Sequence, residues 1–213
     1  MRVAAVVVAG GRGERFGGPK QFAVVDGETL AARSVSAARS VAEFVVLVVP
    51  EGYQGNGEGS DVVVTGGATR SASVRAGLAM TELFDAVLVH DAARPLASPS
   101  LFRAVVNGLT DGVDGVVPGV GVTDTIKQLR ADRAGVVEST PARERLVAVQ
   151  TPQAFRRSAL VAAHQSSPDA TDDAALVEAL GMTVIVVPGE RTNIKVTDAA
   201  DLDRVAARGE VRT

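Results

Sequence analysis

An unbroken apolar run, Val3 to Val8, opens into Ala9-Gly10-Gly11-Arg12-Gly13-Glu14-Arg15-Phe16-Gly17-Gly18-Pro19-Lys20-Gln21. No other stretch constrains the fold as strongly. A Val-rich run of this length, without polar alternation, suits a strand buried on both faces of a parallel sheet, and such a sheet needs helices to cover it. Glycines at the carboxyl end of that strand let backbone N–H groups approach an anion closely. Arg15 and Lys20 add fixed positive charge to the same loop. The segment reads as a phosphate cradle formed by Ala9, Gly10, Gly11 and Gly13.

Two other phosphate loops do not fit. The P-loop pattern G-x-x-x-x-G-K-[ST] fails because Gly18 is followed by Pro19, Lys20 and Gln21, so no hydroxyl follows the lysine to hold magnesium. The dinucleotide fingerprint requires a small residue where Phe16 stands, and an acidic residue roughly twenty positions on at the end of a second strand. The second strong strand candidate, Phe44 to Val49, comes later and ends in Pro50-Glu51.

Further strand candidates lie at Asp61–Thr65, Ala86–His90, Gly115–Pro118 and Thr183–Val187. Helical spacing recurs over Glu28–Ser40, Ala68–Met80, Ser98–Leu109, Ser158–His164 and Thr171–Leu180. This alternation predicts an α/β fold: a doubly wound, Rossmann-like, mainly parallel sheet flanked by helices, whose ligands gather outside the carboxyl ends of the strands. Residues 119–150 differ, with turn residues and short alternating runs, and predict a β-arm. A hairpin from Val122–Leu129 through a turn near Ala131–Gly135 to Val136–Thr140 would project from the sheet; a surface hairpin without a role is the other reading. Gly52–Ser60 reads as a flexible loop. At 213 residues the chain is expected to form one domain, residues 1–213.

Hydrophobic residues make up 46% of the chain but aromatics only 3%, so the core is expected to consist of small aliphatic side chains. A net charge of −3 offers no general attraction for nucleic acid or an anionic membrane, and anion recognition must be local. The chain has no cysteine, which removes disulfides, thiolate metal sites and cysteine nucleophiles together. It starts directly in a strand and carries no apolar run of bilayer length, so a cytoplasmic setting is expected.

Polar residues stand out abruptly in five more segments. His90-Asp91-Ala92-Ala93-Arg94-Pro95 sets a carboxylate and a guanidinium at a strand end, with two alanines leaving room for a nucleotide or metal-phosphate group. An Asp91–Arg94 pair closing a turn is the plainer reading. In Thr65-Gly66-Gly67-Ala68-Thr69-Arg70-Ser71-Ala72-Ser73, small residues admit a flat base near Gly67 and Ser73, while Thr69 or Ser71 also suits a helix N-cap. Gln150-Thr151-Pro152-Gln153 and Ala170-Thr171-Asp172-Asp173 present hydroxyls at element starts, the second of which also suits capping. In Thr192-Asn193-Ile194-Lys195-Val196-Thr197, a lysine sits among β-branched residues in an expected sheet-associated segment. It must face an anion or solvent there. Arg15, Lys20, Arg94, Arg143 and Lys195 are the candidate cations for a phosphate-rich ligand. His90 and His164 are not spaced as a general base and its partner, but a phosphomonoester nucleophile is already ionised near neutral pH and needs cations more than a base.

Taken in order, the first loop with Pro19-Lys20-Gln21, the segment His90 to Pro95, Asp124-Thr125-Ile126-Lys127, Thr151-Pro152-Gln153, Thr171-Asp172-Asp173 and Asn193-Ile194-Lys195-Val196-Thr197 closely resemble the 2-C-methyl-D-erythritol 4-phosphate cytidylyltransferase family. The resemblance covers nearly the whole chain. It implies a nucleotidyltransferase fold and the joining of CTP to a polyol phosphate, methylerythritol phosphate, with release of pyrophosphate in the non-mevalonate isoprenoid pathway. Magnesium, held mainly through the CTP phosphates without a dedicated protein metal site, is the implied cofactor. By the same resemblance, Arg15 and Lys20 stabilise the pentacoordinate α-phosphate, and Lys195 and Arg143 position the sugar phosphate. Arg143 would come from the second subunit of a homodimer on the arm, with Thr125 and Thr151 near the substrate and Arg94 and Thr171 on the same side of the site. Gly67 and Ser73 would lie near cytosine, and Asp91 and Ala92 near the ribose, phosphates and metal. Two positions depart from the pattern: Ala68 and Thr192 stand where the family often has acidic residues. A pentitol-phosphate cytidylyltransferase and a non-catalytic nucleotide-binding regulator on the same scaffold are the competing readings.

Overall fold

The computed structural model describes residues 1–11, 18–165 and 169–209. Strand β1 (Val3–Val8) lies between β4 (Phe44–Val49) and β6 (Ala86–Asp91), parallel to both, and β5 (Val62–Thr65) extends the sheet beyond β4. On the far side of β6 the sheet turns mixed. There β11 (Gln153–Arg156) runs antiparallel to β6 and to β7 (Gly115–Gly121). Antiparallel β10 (Val147–Val149) and parallel β12 (Val184–Pro188) also pair with β7, completing an eight-stranded sheet.

The continuous apolar runs are explained by two covered faces. Val3, Ala5, Val7 and Leu47 pack toward Val35 of α1 (Leu30–Ala38) and Phe102 of α3 (Pro99–Asn107). Val6, Val46 and Val48 pack toward Val74 of α2 (Arg70–Leu78) and Leu160 of α4 (Arg157–Gln165). Alternate residues of each central strand thus enter opposite cores, leaving no polar face to alternate with. A smaller cluster of Val25, Leu30, Val196 and Val205 joins α6 (Ala199–Gly209) to a hairpin of β2 (Val24–Val25) and β3 (Glu28–Thr29). That hairpin turns through Asp26 and Gly27 at φ 51° and 80°, the left-handed pair a tight two-residue turn requires.

Most helix starts carry the expected hydroxyl or carboxylate. Thr29, Thr69 and Ser98 accept from the backbone N–H three residues on, at 2.9, 3.2 and 3.1 Å. Asp172 caps α5 (Asp173–Ala179). Among the described residues no helix is long and apolar enough to cross a membrane.

The structure corrects four details. The arm is narrower than residues 119–150, because β7 extends to Gly121 and β10 returns along it as part of the main sheet. What projects is the hairpin of β8 (Gln128–Leu129) and β9 (Val137–Ser139), both strands of which are exposed at every residue. Second, β11 and α6 have no counterpart among the strands and helices expected from periodicity. Third, the Gly52–Ser60 loop is stitched together: Tyr53 Oη donates to Glu58 Oε1 at 3.0 Å and accepts from Gly57 N at 3.1 Å, and Thr29 Oγ1 donates to Glu58 Oε2 at 2.6 Å. Fourth, the segment from Thr192 to Thr197 forms no strand, its polar groups being met by side chains and by single backbone contacts.

Candidate active site

The chain leaves β1, goes outward to β4 and β5, and returns through α2 to β6 on the other side of β1. Loops following β1, β5 and β6 therefore converge at one end of the sheet, where strand order reverses. The cleft there, about 160 Å³, is lined by Arg70, Asp91, Arg94, Gln150, Thr151, Thr171, Asp172 and Lys195, among others. Five of the expected residues, Asp91, Arg94, Thr151, Thr171 and Lys195, thus meet although they lie up to 104 positions apart in the chain.

Asp91 ends β6 and is the hub. Its Oδ1 accepts from Arg70 Nε at 3.1 Å and its Oδ2 from Lys195 Nζ at 2.8 Å. Burial acts to raise its pKa, but the charges of Arg70 and Lys195 outweigh burial and hold the carboxyl well below the usual carboxylate range. The Asp91–Arg94 pair is not made. Arg94 instead donates from Nη1 to Asn193 O at 2.8 Å, which ties the loop after β6 to the Lys195 segment. Burial pulls the Arg94 pKa down, with Asp91 opposing.

Arg70 is the residue that periodicity and motif spacing miss. As the first residue of α2 it reaches Asp91 and, through Nη1, Asp173 Oδ2 at 2.6 Å. Asp173 is wholly buried and also contacts His164 Nε2 at 3.0 Å. Burial raises the Asp173 carboxyl, but the hydrogen bond to His164 and the charge of Arg70 outweigh it, and the group sits below its ordinary range. Burial lowers the Arg70 pKa, yet Asp91 and Asp173 reverse that and raise it.

Thr151 is turned toward the fold. Its hydroxyl accepts from Asp91 N at 3.0 Å and lies 3.1 Å from His90 Nδ1. Burial pushes the His90 pKa down to about 4, so the imidazole is neutral near pH 7 and has no role as a charged partner of the cleft. The Thr151–Pro152 peptide is cis. Two amides missed as site-forming groups lock this wall. Gln150 Nε2 donates to Glu190 O at 2.8 Å, its Oε1 accepts from Glu190 N at 3.1 Å, and Asn193 Nδ2 donates to Thr151 O at 2.9 Å. Together with Val196 N donating to Ala93 O at 2.8 Å, they replace the expected ladder around Lys195. The only available sequence signal was two amides beside a candidate threonine and lysine.

Several expected nucleotide residues do not line this cleft: Ala9 and Ala92 are buried and their N–H groups donate to Val48 O at 2.7 Å and Val8 O at 3.0 Å, while Gly11 is exposed with open space where a Cβ would stand. Gly10 lies against Ser73, whose Oγ would be 3.1 Å from a Cβ placed there. Ser73 is buried and donates to Thr69 O at 3.0 Å, inside its own helix. Gly67 is exposed but has no space for a side chain, since a Cβ there would meet Ala72 Cβ at 2.4 Å. Thr171 lines the cleft while the neighbouring Asp172, accepting from Ala174 N at 3.4 Å, does the capping. Lys20 opens a single 3-10 turn, Lys20–Phe22, and is partly buried. Gly13 and Arg15 lie outside the described residues.

Arg143 and Thr125 stand apart from this cleft. Arg143 follows the hairpin, exposed, and donates from Nη1 to Thr123 O at 3.0 Å. Thr125 is exposed before β8. Neither lines the cleft of its own chain.

Among the described residues, Arg70 and Lys195 converge on the buried Asp91 carboxylate at this end of the sheet. The family described as IspD, 2-C-methyl-D-erythritol 4-phosphate cytidylyltransferase, matches residues 3–208. A 2-C-methyl-D-erythritol 4-phosphate cytidylyltransferase of Frankia casuarinae is 46% identical over 211 residues, covering 94% of this chain and 79% of that protein. A bifunctional enzyme IspD/IspF of Clavibacter michiganensis subsp. michiganensis is 47% identical over 220 residues, and the match spans 53% of that longer protein. The crystal structure of 2-C-methyl-D-erythritol 4-phosphate cytidylyltransferase from Thermus thermophilus superposes with a TM-score of 0.82 at 35% identity, covering 99% of this chain and all of the other. The chain belongs to the 2-C-methyl-D-erythritol 4-phosphate cytidylyltransferase family.

Proposed function

We propose that the chain transfers the cytidylyl group of CTP to 2-C-methyl-D-erythritol 4-phosphate. An oxygen of the sugar phosphate attacks the α-phosphorus of CTP, the bond from that phosphorus to the β-phosphate oxygen breaks, and pyrophosphate leaves. One observation carries the reading: in a member of this family, the carboxyl end of β1 pairs with the end of β6 at the strand-order reversal, where Arg70 and Lys195 meet on Asp91. Such chemistry needs positioned positive charge where phosphate charge builds up more than it needs a base. In this reading Arg15 and Lys20 act on the α-phosphate and Lys195 positions the acceptor phosphate, with Arg94, Thr151 and Thr171 beside it. The backbone of Ala9, Gly10, Gly11 and Gly13 cradles the triphosphate. Gly67 and Ser73 border the base, through packing and backbone in the case of Ser73, and Asp91 and Ala92 border the ribose.

A divalent cation, magnesium, belongs to the same proposal. Among the described residues no cluster of three or more His, Asp or Glu is placed to hold a metal, and Asp91, held ionised by Arg70 and Lys195, and Asp172 are the carboxylates on the cleft wall. That donor set fits an ion carried mainly on triphosphate oxygens, with few protein ligands. When bound, it neutralises charge on the triphosphate.

The exposure of Arg143 and Thr125, away from their own cleft, supports a homodimer in which the arm of one copy completes the site of the other. Ile126, Leu129, Val137, Val147 and Val149, exposed on the hairpin and the adjoining sheet edge, supply apolar surface for such contact. Residues 1–213 are read as one nucleotidyltransferase domain in the cytoplasm, where CTP is available. The test is pyrophosphate release from CTP with methylerythritol phosphate, with ribitol phosphate, and with neither. Release only with the first is expected; release without an acceptor, or with ribitol phosphate alone, overturns the reading.

A further inference from the structure

The turn that bears Lys20 is anchored by the two side chains that follow it. Gln21 is 4% exposed, and its Nε2 donates to Ala9 O at 2.5 Å and to Gly11 O at 2.8 Å. Only the amide nitrogen has hydrogens to give, so two carbonyl acceptors fix the orientation of the group. Phe22 stacks on Tyr53 with ring centroids 4.9 Å apart, and Tyr53 is held in turn by Glu58 and Gly57. The end of β1 and the residues bearing Lys20 are thus fastened to each other by one buried amide, and to the neighbouring loop by one aromatic pair.

We propose that Gln21 is a positioning residue for cytidylyl transfer, acting through Lys20 and the Gly10–Gly11 backbone without touching substrate; the inference rests on the function proposed above. Gln21 ties the end of β1 to the turn that bears Lys20, and so sets the distance between that lysine and the Gly10–Gly11 N–H groups. Transition-state stabilisation depends steeply on such distances. No close substitute makes both contacts. Asn is one methylene short, Met fills the volume without a donor, and ionised Glu offers only acceptors to two carbonyl oxygens.

Gln21→Met and Gln21→Glu test this in the full-length protein, by kinetics with CTP and methylerythritol phosphate and by backbone hydrogen exchange without ligand. In Gln21→Met, kcat should fall on the order of 100-fold while KM for the sugar phosphate stays near the wild-type value. Exchange should rise at residues 9–11 and 20–23 and remain unchanged in β4 and β6. In Gln21→Glu, burial and the facing carbonyls push the new carboxyl upward, and only its protonated form can donate. Its activity relative to wild type should therefore climb as pH falls, a limb the wild type lacks. Wild-type kcat in a folded Gln21→Met, or a Gln21→Glu to wild-type ratio flat with pH, overturns the inference. If the wild type itself fails to release pyrophosphate, the functional reading falls, and exchange alone then decides the tether: unchanged exchange at residues 9–11 and 20–23 refutes it.

Discussion

Replacing Arg70 with Met removes the cation that bridges Asp91 and Asp173 while keeping most of the side chain's volume. The two contacts it breaks are short, 3.1 Å to Asp91 and 2.6 Å to Asp173, and the Arg70 side chain is only 22% exposed, with Asp173 wholly buried. Asp91 keeps Lys195, but Asp173 keeps only His164. Removing one partner of a buried pair costs about 3–5 kcal/mol, because the charge left behind is desolvated and unpaired. With a urea slope of about 2 kcal/mol/M, the unfolding midpoint should drop by roughly 1.5–2.5 M at pH 7. The loss should depend on pH in a set direction. Asp91 and Asp173 are held below their unfolded values, so in the wild type their stabilisation is complete above about pH 4 and is lost only as pH falls further, through the folded values. In the variant, burial at Asp173 is opposed by His164 alone and its carboxyl rises, so protonation relieves the variant as pH falls. Urea titrations of both proteins from pH 7 to pH 4 should show the gap narrowing. Adding Asp173→Leu should recover part of the loss, as expected for a coupled pair. A midpoint shift equivalent to less than about 1 kcal/mol, or a gap constant with pH, would refute the account of Asp91 and Asp173 as carboxylates ionised by Arg70.

Other expectations follow from the same geometry. Lys20→Ala should reduce kcat by an amount equivalent to roughly 2.7–4 kcal/mol while CTP binding, read by calorimetry, changes little; a raised KM with unchanged kcat contradicts the assignment. The His90 imidazole should remain neutral until about pH 4, with ring NMR signals unmoved between pH 8 and pH 5. Since its folded value lies below the unfolded one, its contribution to stability is present above about pH 6.5 and is lost as pH falls toward 4; ordinary titration near 6.5 contradicts its burial. Full activity in excess chelator would remove the divalent cation from the reaction. Coexpressed Lys20→Ala and Arg143→Ala chains should regain roughly a quarter of wild-type activity, because about half of randomly paired dimers are mixed and each mixed dimer rebuilds one of two sites. No recovery in verified mixed dimers would return Arg143 to its own subunit's site or remove it from catalysis.

What could be read in advance was whatever the chain writes locally. The Val3–Val8 run, its glycine exit and the strand Ala86–His90 leading into Asp91 are legible because burial on both faces leaves a continuous apolar signature. The projecting hairpin was legible from turn residues at about the right place. Strand β11 was not, since four residues, Gln153–Arg156, are too few for a period and begin and end on polar side chains. Around Lys195 the β-branched neighbours pointed to a strand, but their apolar character serves the small core with Val25 and Val205 while Gln150 and Asn193 satisfy the backbone. Arg70 was hidden for a different reason. Its partners lie 21 and 103 residues away, and nothing in the spacing of a helix's first residue shows which carboxylates the fold will bring to it.

The position of bond cleavage in CTP tests the central claim most directly. With CTP labelled separately at the α- and γ-phosphates and with methylerythritol phosphate as acceptor, the α-label should move to the sugar-phosphate product and the γ-label to pyrophosphate. Transfer of the γ-label to the sugar phosphate, or retention of the α-label in CTP or in free CMP, would contradict cytidylyl transfer at this site.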